Sequence, residues 1–369
     1  MPGYKPDSRP TGHNRLDAAF QQEHGRGTII FCMNEPTARP AVTPPRMVQA
    51  ITAGFNLVAN HIYIILLPIA LDLFLWFGPH LRVKSLLEPV VQDMLRQLGM
   101  FYQAQLDANA EVIREFYMAI LEQINLFTFL RSYPVGVFSL FSSTSPAEHP
   151  LGSPAFFEIP SIGLVFLYGL LITLAGLFLG TLFFREMARY TGENLSGHKL
   201  RPIVWHYGQT VLLTLILLLL ALLIAVPLTL AFSFLTLLSP MIAQIVLFMI
   251  IVFLLWLVVP MVFAPHGIYF SQQNAMSALL TSVRMVRFHL PGTSIFLLVI
   301  ILISEGLKII WRFPPPTSWM ALIGVLGNAF VSTALLAATY IYYRDGLIWM
   351  KSRQQNIASA SVGNNGRIL

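Results

Sequence analysis

The sequence has a single cysteine, Cys32, which excludes an internal disulfide framework, and no spacing of Cys with His matches a structural zinc site. Charge is equally scarce. Only 11% of the 369 residues are Asp, Glu, Lys or Arg, against roughly 25% in ordinary soluble chains. With 56% hydrophobic residues and a mean hydropathy of +0.67, there is too little polar surface to coat a soluble protein of this size. Lipid is therefore the expected solvent. Catalytic signatures are missing as well: Gly-x-Ser-x-Gly, His-Glu-x-x-His and Gly-rich phosphate loops do not occur, which argues against common hydrolases and nucleotide enzymes. No cofactor and no metal are expected. The net charge of +6 comes from basic residues scattered among apolar runs rather than gathered in a block, so membrane lipids, not nucleic acid, are the expected partners.

What the sequence does contain is long apolar runs. Crossing about 30 Å of hydrocarbon takes roughly 20 helical residues. Six stretches qualify: Ile51 to Phe77, Ile159 to Phe184, Ile203 to Leu235, Met241 to Phe263, Ser294 to Trp311, and Trp319 to Tyr343. The expected fold is all-α, a polytopic membrane protein of about six spans between a disordered Pro-rich tail (1–46) and a flexible tail (344–369). Asn56, Asn60, His61 and Asp72 interrupt the first span, and Pro227 is expected to kink the third.

Orientation follows from counting Lys and Arg. With the N-terminal tail inside, 16 of the 23 basic residues fall on inner segments and seven on outer ones. Both termini, with Lys5 and Lys351, are then expected on the cytoplasmic side, and Asp107 and Glu111 outside. The first span acts as an uncleaved anchor, since the tail has no signal-peptide core. Trp76, Trp311 and Trp319 fall at the outer interface on this scheme, Trp205 and Trp349 at the inner one, and Trp256 in mid-span.

Residues 78–158 form an extracytoplasmic arm. Leu87, Val91, Met94, Leu98 and Phe101 step by four and three, and Ile113, Phe116, Ile120, Ile124 and Phe127 continue a similar stripe, which predicts one amphipathic helix or two. A single helix from Ser85 to Leu130 would be about 69 Å long. Gln103, Gln105, Asp107 and Asn109 lie between the stripes. The 85–130 arm has two readings: it lies on the outer membrane surface, or it docks a protein partner or a second copy. The whole loop 78–158 carries eight acidic and five basic residues, which argues against strong binding to anionic lipid there. Beyond the arm helices, the chain from Arg131 to Pro160 is expected to be a turn and an interfacial loop. A re-entrant segment over Val135–Phe141 would require its backbone groups to be buried in protein.

Ionisable residues within spans are the usual pointers to function. Asp72, Glu305 and Lys308 are the candidates, the last two sharing a helix face three residues apart. An interfacial or locally paired role is favoured for all three over proton or ion coupling. His61, His206, His266 and His289 form no ligand-spaced pair and are expected to be hydrogen-bonded histidines. Small residues form stripes at Gly169, Thr173, Gly176 and Gly180 in the second span, and at Ala321, Gly324, Asn328 and Ser332 in the sixth. Both predict close helix packing.

A faint internal echo links Arg189-Tyr-Thr-Gly-Glu-Asn194 and His206-Tyr-Gly-Gln-Thr210 with Phe270-Ser-Gln-Gln-Asn274 and His289-Leu-Pro-Gly-Thr293. The stretch from Phe263 to Val299, with Ala278, Ser282, Val286, Arg287 and His289 leading into a span, resembles the interfacial helix of the membrane-domain family found with glycerophosphodiester phosphodiesterases. The resemblance covers about a tenth of the chain and implies a bacterial plasma-membrane bundle with interfacial helices. No phosphodiesterase domain follows, so no catalytic activity is carried over. Within this stretch, Arg284 and Arg287 are placed to reach lipid phosphates. Three functions stay open: a non-enzymatic scaffold or accessory protein, a transporter or lipid-handling protein, and an enzyme acting on lipid.

Overall fold

A computed structural model describes residues 43–101, 110–143, 146–192 and 201–365. The N-terminal tail to residue 42, with Lys5 and Cys32, lies outside the described residues, as do Gln103, Gln105, Asp107, Asn109, Glu193, Asn194, Lys199 and Arg367. Among the described residues, five helices are each long and apolar enough to cross a membrane, and a sixth crossing exists if a bent pair counts as one span. The chain is an all-α, multi-pass membrane protein.

The bent pair replaces the first expected span. Helix α1 (Met47–Asn60) ends at His61, a 3₁₀ turn follows (Ile62–Ile65), and α2 (Leu66–Phe77) leaves at 93° to α1. The cause lies in the polar interruptions. The ring nitrogen Nδ1 of His61 lies 3.1 Å from the Leu57 carbonyl oxygen, and the His61 ring packs 4.6 Å from that of Tyr190.

The arm follows as two short strands and a helical hairpin. Strand β1 (His80–Arg82) pairs in parallel with β2 (Phe156–Glu158), so the ribbon clasps the arm at its base. His80 is buried there, and burial holds its imidazole pKa below the ordinary value. Helices α3 (Lys84–Phe101) and α4 (Ala110–Gln123) pack on each other. Lys84 Nζ, at the start of α3, meets Glu122 Oε1, at the end of α4, at 2.7 Å, which makes the pair antiparallel. The same ammonium holds the Glu122 carboxyl below its usual pKa. One unbroken 85–130 helix is thereby ruled out in favour of two. The face of α4 carrying Val112, Phe116 and Ile120 is exposed.

The remaining spans are α5 (Ile162–Gly192), α6 (Ile203–Leu238), α7 (Pro240–Val258), α10 (Leu290–Trp311) and α11 (Ala321–Asn365). Short α8 (Ala264–Tyr269) and amphipathic α9 (Ala275–Phe288) link α7 to α10. Helix α11 is the hub. The most apolar stretch of α11 is 72% buried, against 6% for α6 and for the α7 region. Small residues let its neighbours approach: a Cβ on Gly54 of α1 would lie 2.5 Å from the Ala334 carbonyl oxygen. The helix does not stop at Tyr343; residues 344–365 continue it where a flexible tail was expected.

Helices α6 and α7 are the lipid-facing periphery. Hydroxyls on α6 bond to their own backbone, Thr214 to Thr210 O at 2.9 Å and Ser233 to Thr229 O at 2.8 Å. They can therefore face hydrocarbon without an unsatisfied donor. Pro227 sits inside α6 without ending it. Trp256 lies near the middle of the apolar stretch Met241–Tyr269 and two residues before the end of α7, and the Arg287 guanidinium sits 5.7 Å from its ring centroid. The expected span ran to Phe263, but Val259-Pro260-Met261 breaks the α-helix into a 3₁₀ turn.

Candidate functional site: an apolar cleft beside a re-entrant segment

Residues 131–143 are not an interfacial loop. They descend into the bundle as irregular backbone, with Val135, Val137 and Leu140 buried. Such backbone is tolerated among apolar helices only where protein satisfies its polar groups. Here Asp72 does so. Its Oδ1 accepts from Ser139 Oγ at 2.5 Å, Leu140 N at 2.7 Å and Phe141 N at 3.2 Å. Ser132 Oγ donates to Val135 O at 2.7 Å, and Arg312 donates to Leu140 O at 2.7 Å. Asp72 is fully buried, and its role is to hold this segment.

The small-residue stripe of α5 receives the same segment. A Cβ on Gly176 would meet the Leu130 carbonyl, and one on Gly180 would lie 2.7 Å from the Val135 carbonyl oxygen. Gly180 is 18 residues into α5, roughly 27 Å along its axis. The close approach predicted for these glycines is thus to an irregular strand, not to another helix. At Gly169 only the Phe129 ring is near, at 3.6 Å, and Gly324 faces the carbonyl of Trp311 at the end of α10.

The other candidates are placed apart. Lys308 Nζ meets Glu305 Oε1 at 2.5 Å, a local pair with Lys308 buried and Glu305 outward. Arg284 and Arg287 are exposed on α9, whose opposite face buries Ala278, Ser282 and Met285. His266 Nε2 lies 2.8 Å from Thr339 Oγ1, and His206 stacks on Tyr269 at 5.3 Å. The two halves of the internal echo touch. Gln209 Oε1 accepts from Ala275 N, just after the 270–274 segment, at 2.8 Å, and Gln272 Oε1 accepts from Arg201 N, between the 189–194 and 206–210 segments, at 2.9 Å. Among the described residues, no three His, Cys, Asp or Glu side chains converge as a metal site would require.

Where the re-entrant segment emerges beside α6 and α7, the helices leave a cleft of about 610 Å³. Leu217, Ala221, Ile224 and Leu228 line it from α6 at steps of four, three and four, and Leu254 and Leu257 line it from α7. Tyr133 and Pro134, joined by a cis peptide, close one end. Tyr133 is the one titratable side chain of the wall.

No known family, curated protein or solved structure matches the chain.

The cleft's chemistry is therefore read from its own walls, which are apolar apart from the Tyr133 hydroxyl and can hold an apolar chain. Sequence reasoning passed over Tyr133 and Arg131. Arg131 lies with its guanidinium 5.6 Å from the Tyr133 ring centroid and donates from Nη1 to Ser142 Oγ at 2.9 Å. The only sequence signal was the apolar run after Pro134, which marked the segment but not its depth.

Proposed function

We propose that this chain is a non-enzymatic lipid-handling protein of the bacterial plasma membrane, which takes a lipid hydrocarbon chain between α6 and α7. The observation that carries the reading is the 610 Å³ cleft, whose size falls within the roughly 300–1,000 Å³ of small-molecule sites. Its helices are the least buried in the bundle, so their surroundings are acyl chains, and a cleft this apolar favours such a chain over water. Filling the cleft tests the reading. Ala221→Trp together with Ala225→Trp is expected to lower crosslinking to a photoactivatable phospholipid by roughly tenfold, as losing about 1.4 kcal/mol of contact would. Unchanged crosslinking in a folded double variant removes the proposal. A scaffold role has one observation in its favour, the exposed Val112, Phe116 and Ile120 stripe on α4.

The proposal places both termini in the cytoplasm and the arm outside, supported by the distribution of basic residues. It treats the α1–α2 pair as one broken span. In a Cys32→Ala background, an impermeant thiol reagent on intact cells should label Glu111→Cys and spare Lys5→Cys and Lys351→Cys. Labelling at 351 with protection at 111 inverts the topology. Labelling at 5 and 111 but not 351 means that α1 and α2 enter and leave on one side, giving five spans.

A further inference from the structure

We propose that the lipid held in the α6–α7 cleft is an anionic one, with its phosphate bound by Arg131; this rests on the reading of the cleft as a lipid site. Arg131 follows the 3₁₀ turn Leu126–Leu130 and stands two residues before Tyr133. Tyr133 is both a wall of the cleft and the ring beneath the guanidinium, and it is 71% exposed, so the cation sits at an open rim. Arg131 is not itself a wall of the cleft but reaches its rim through Tyr133, and an apolar slot with a cation beside its rim is complementary to an acyl chain ending in a phosphate.

Charge balance points the same way. Among the described residues, Arg131 has no carboxylate within 4 Å, as is also true of Arg82, Arg185, Arg201, Arg284, Arg287 and Arg312; what sets it apart is its place, half-buried and over the ring of a cleft wall. A half-buried guanidinium beside hydrocarbon calls for a counter-charge. One of its five N–H groups is used by Ser142, and a phosphate oxygen pair fits the fork of the others. A second guanidinium raises the local potential: Arg312 grips Leu140 O and Ser143 Oγ, the residue after Ser142. Lysine would supply charge at this position without the planar fork.

The test is lipid competition on the full chain in nanodiscs. The probes are phosphatidylglycerol and phosphatidylcholine with identical acyl chains, read by native mass spectrometry, with inorganic phosphate as a free competitor. The wild type should prefer phosphatidylglycerol by about tenfold. Arg131→Gln should bring the two lipids within about twofold of each other while phosphatidylcholine binding persists, and Arg131→Lys, which keeps the charge without the fork, should keep only part of the preference. Millimolar inorganic phosphate should displace neither lipid. No preference in the wild type overturns the inference, and so does a preference that survives in Arg131→Gln. Displacement by inorganic phosphate alone would make Arg131 a free-anion site and overturn the lipid assignment. The wild-type comparison needs no variant, so the inference can fail on that comparison alone even where Arg131→Gln does not fold. Failure of the underlying reading looks different: the Ala221→Trp, Ala225→Trp protein would bind both lipids as well as the wild type does.

Discussion

Asp72→Ala is expected to lower the free energy of unfolding by about 3 kcal/mol or more, measured by denaturation in mixed micelles. Three donors lose one acceptor at once: the hydroxyl of Ser139 and the amides of Leu140 and Phe141, all buried. A buried donor left unsatisfied costs about 1–3 kcal/mol. Ser139→Ala removes one donor together with its need for a partner and should cost only about 1 kcal/mol. Asp72→Asn retains an acceptor oxygen and should fall between the two. An Asp72→Ala protein within about 0.5 kcal/mol of the wild type would show that the carboxylate does not hold the segment.

The expected size of that effect shows what was hidden in the sequence. Asp72 was visible as an intramembrane acid, but its partners lie 67 to 69 residues further along, beyond any local pattern. An acid near a span end reads as interfacial because local reasoning sees water as the nearest donor. The structure supplies backbone amides instead, and this converts an apparent surface loop into buried chain. Arg131 was lost for the related reason that Arg-Ser-Tyr-Pro reads as a turn wherever it lies.

The long spans were legible because a Leu-rich run in hydrocarbon has one backbone solution, the helix. That same uniformity concealed the cleft. In α6 every face is apolar, so nothing in the residue types separates Leu217 and Ile224, which line the cleft, from Leu218 and Leu223, which face outward. In the arm, the apolar stripes predicted amphipathic helix but left one helix or two open, because the reversal between α3 and α4 is not marked by any Pro or Gly in residues 102–109. The bend at His61 was foreshadowed by Asn56 and Asn60, although its angle depends on packing against α11 and Tyr190.

The glycines of α5 offer the second large effect, with opposite signs expected along one helix. A glycine stripe reports that some backbone comes close, not which one. At Gly176 an added Cβ would overlap the Leu130 carbonyl, and at Gly180 it would lie 2.7 Å from the Val135 oxygen and 2.9 Å from the Gly136 Cα. These are backbone atoms of a segment pinned on its far side by Asp72, so they cannot rotate out of the way as a side-chain tip would. Gly176→Ala and Gly180→Ala should each cost about 1–3 kcal/mol through overpacking. At Gly169 the nearest atoms are Phe129 ring carbons at 3.6 Å, an ordinary contact, and at Gly163 nothing lies within 4 Å. There alanine should be neutral or stabilise by about 0.5–1 kcal/mol, because it loses less backbone entropy than glycine in a helix. Unfolding of the four single variants in the same micelles checks this, and lipid crosslinking adds an independent readout. Displacing Val135 and Gly136 should also shift Tyr133 and weaken binding in Gly180→Ala, but not in Gly163→Ala. Equal stability across all four variants would mean that the 131–143 segment is not seated against α5, and the cleft would then lose the wall that Tyr133 and Pro134 provide.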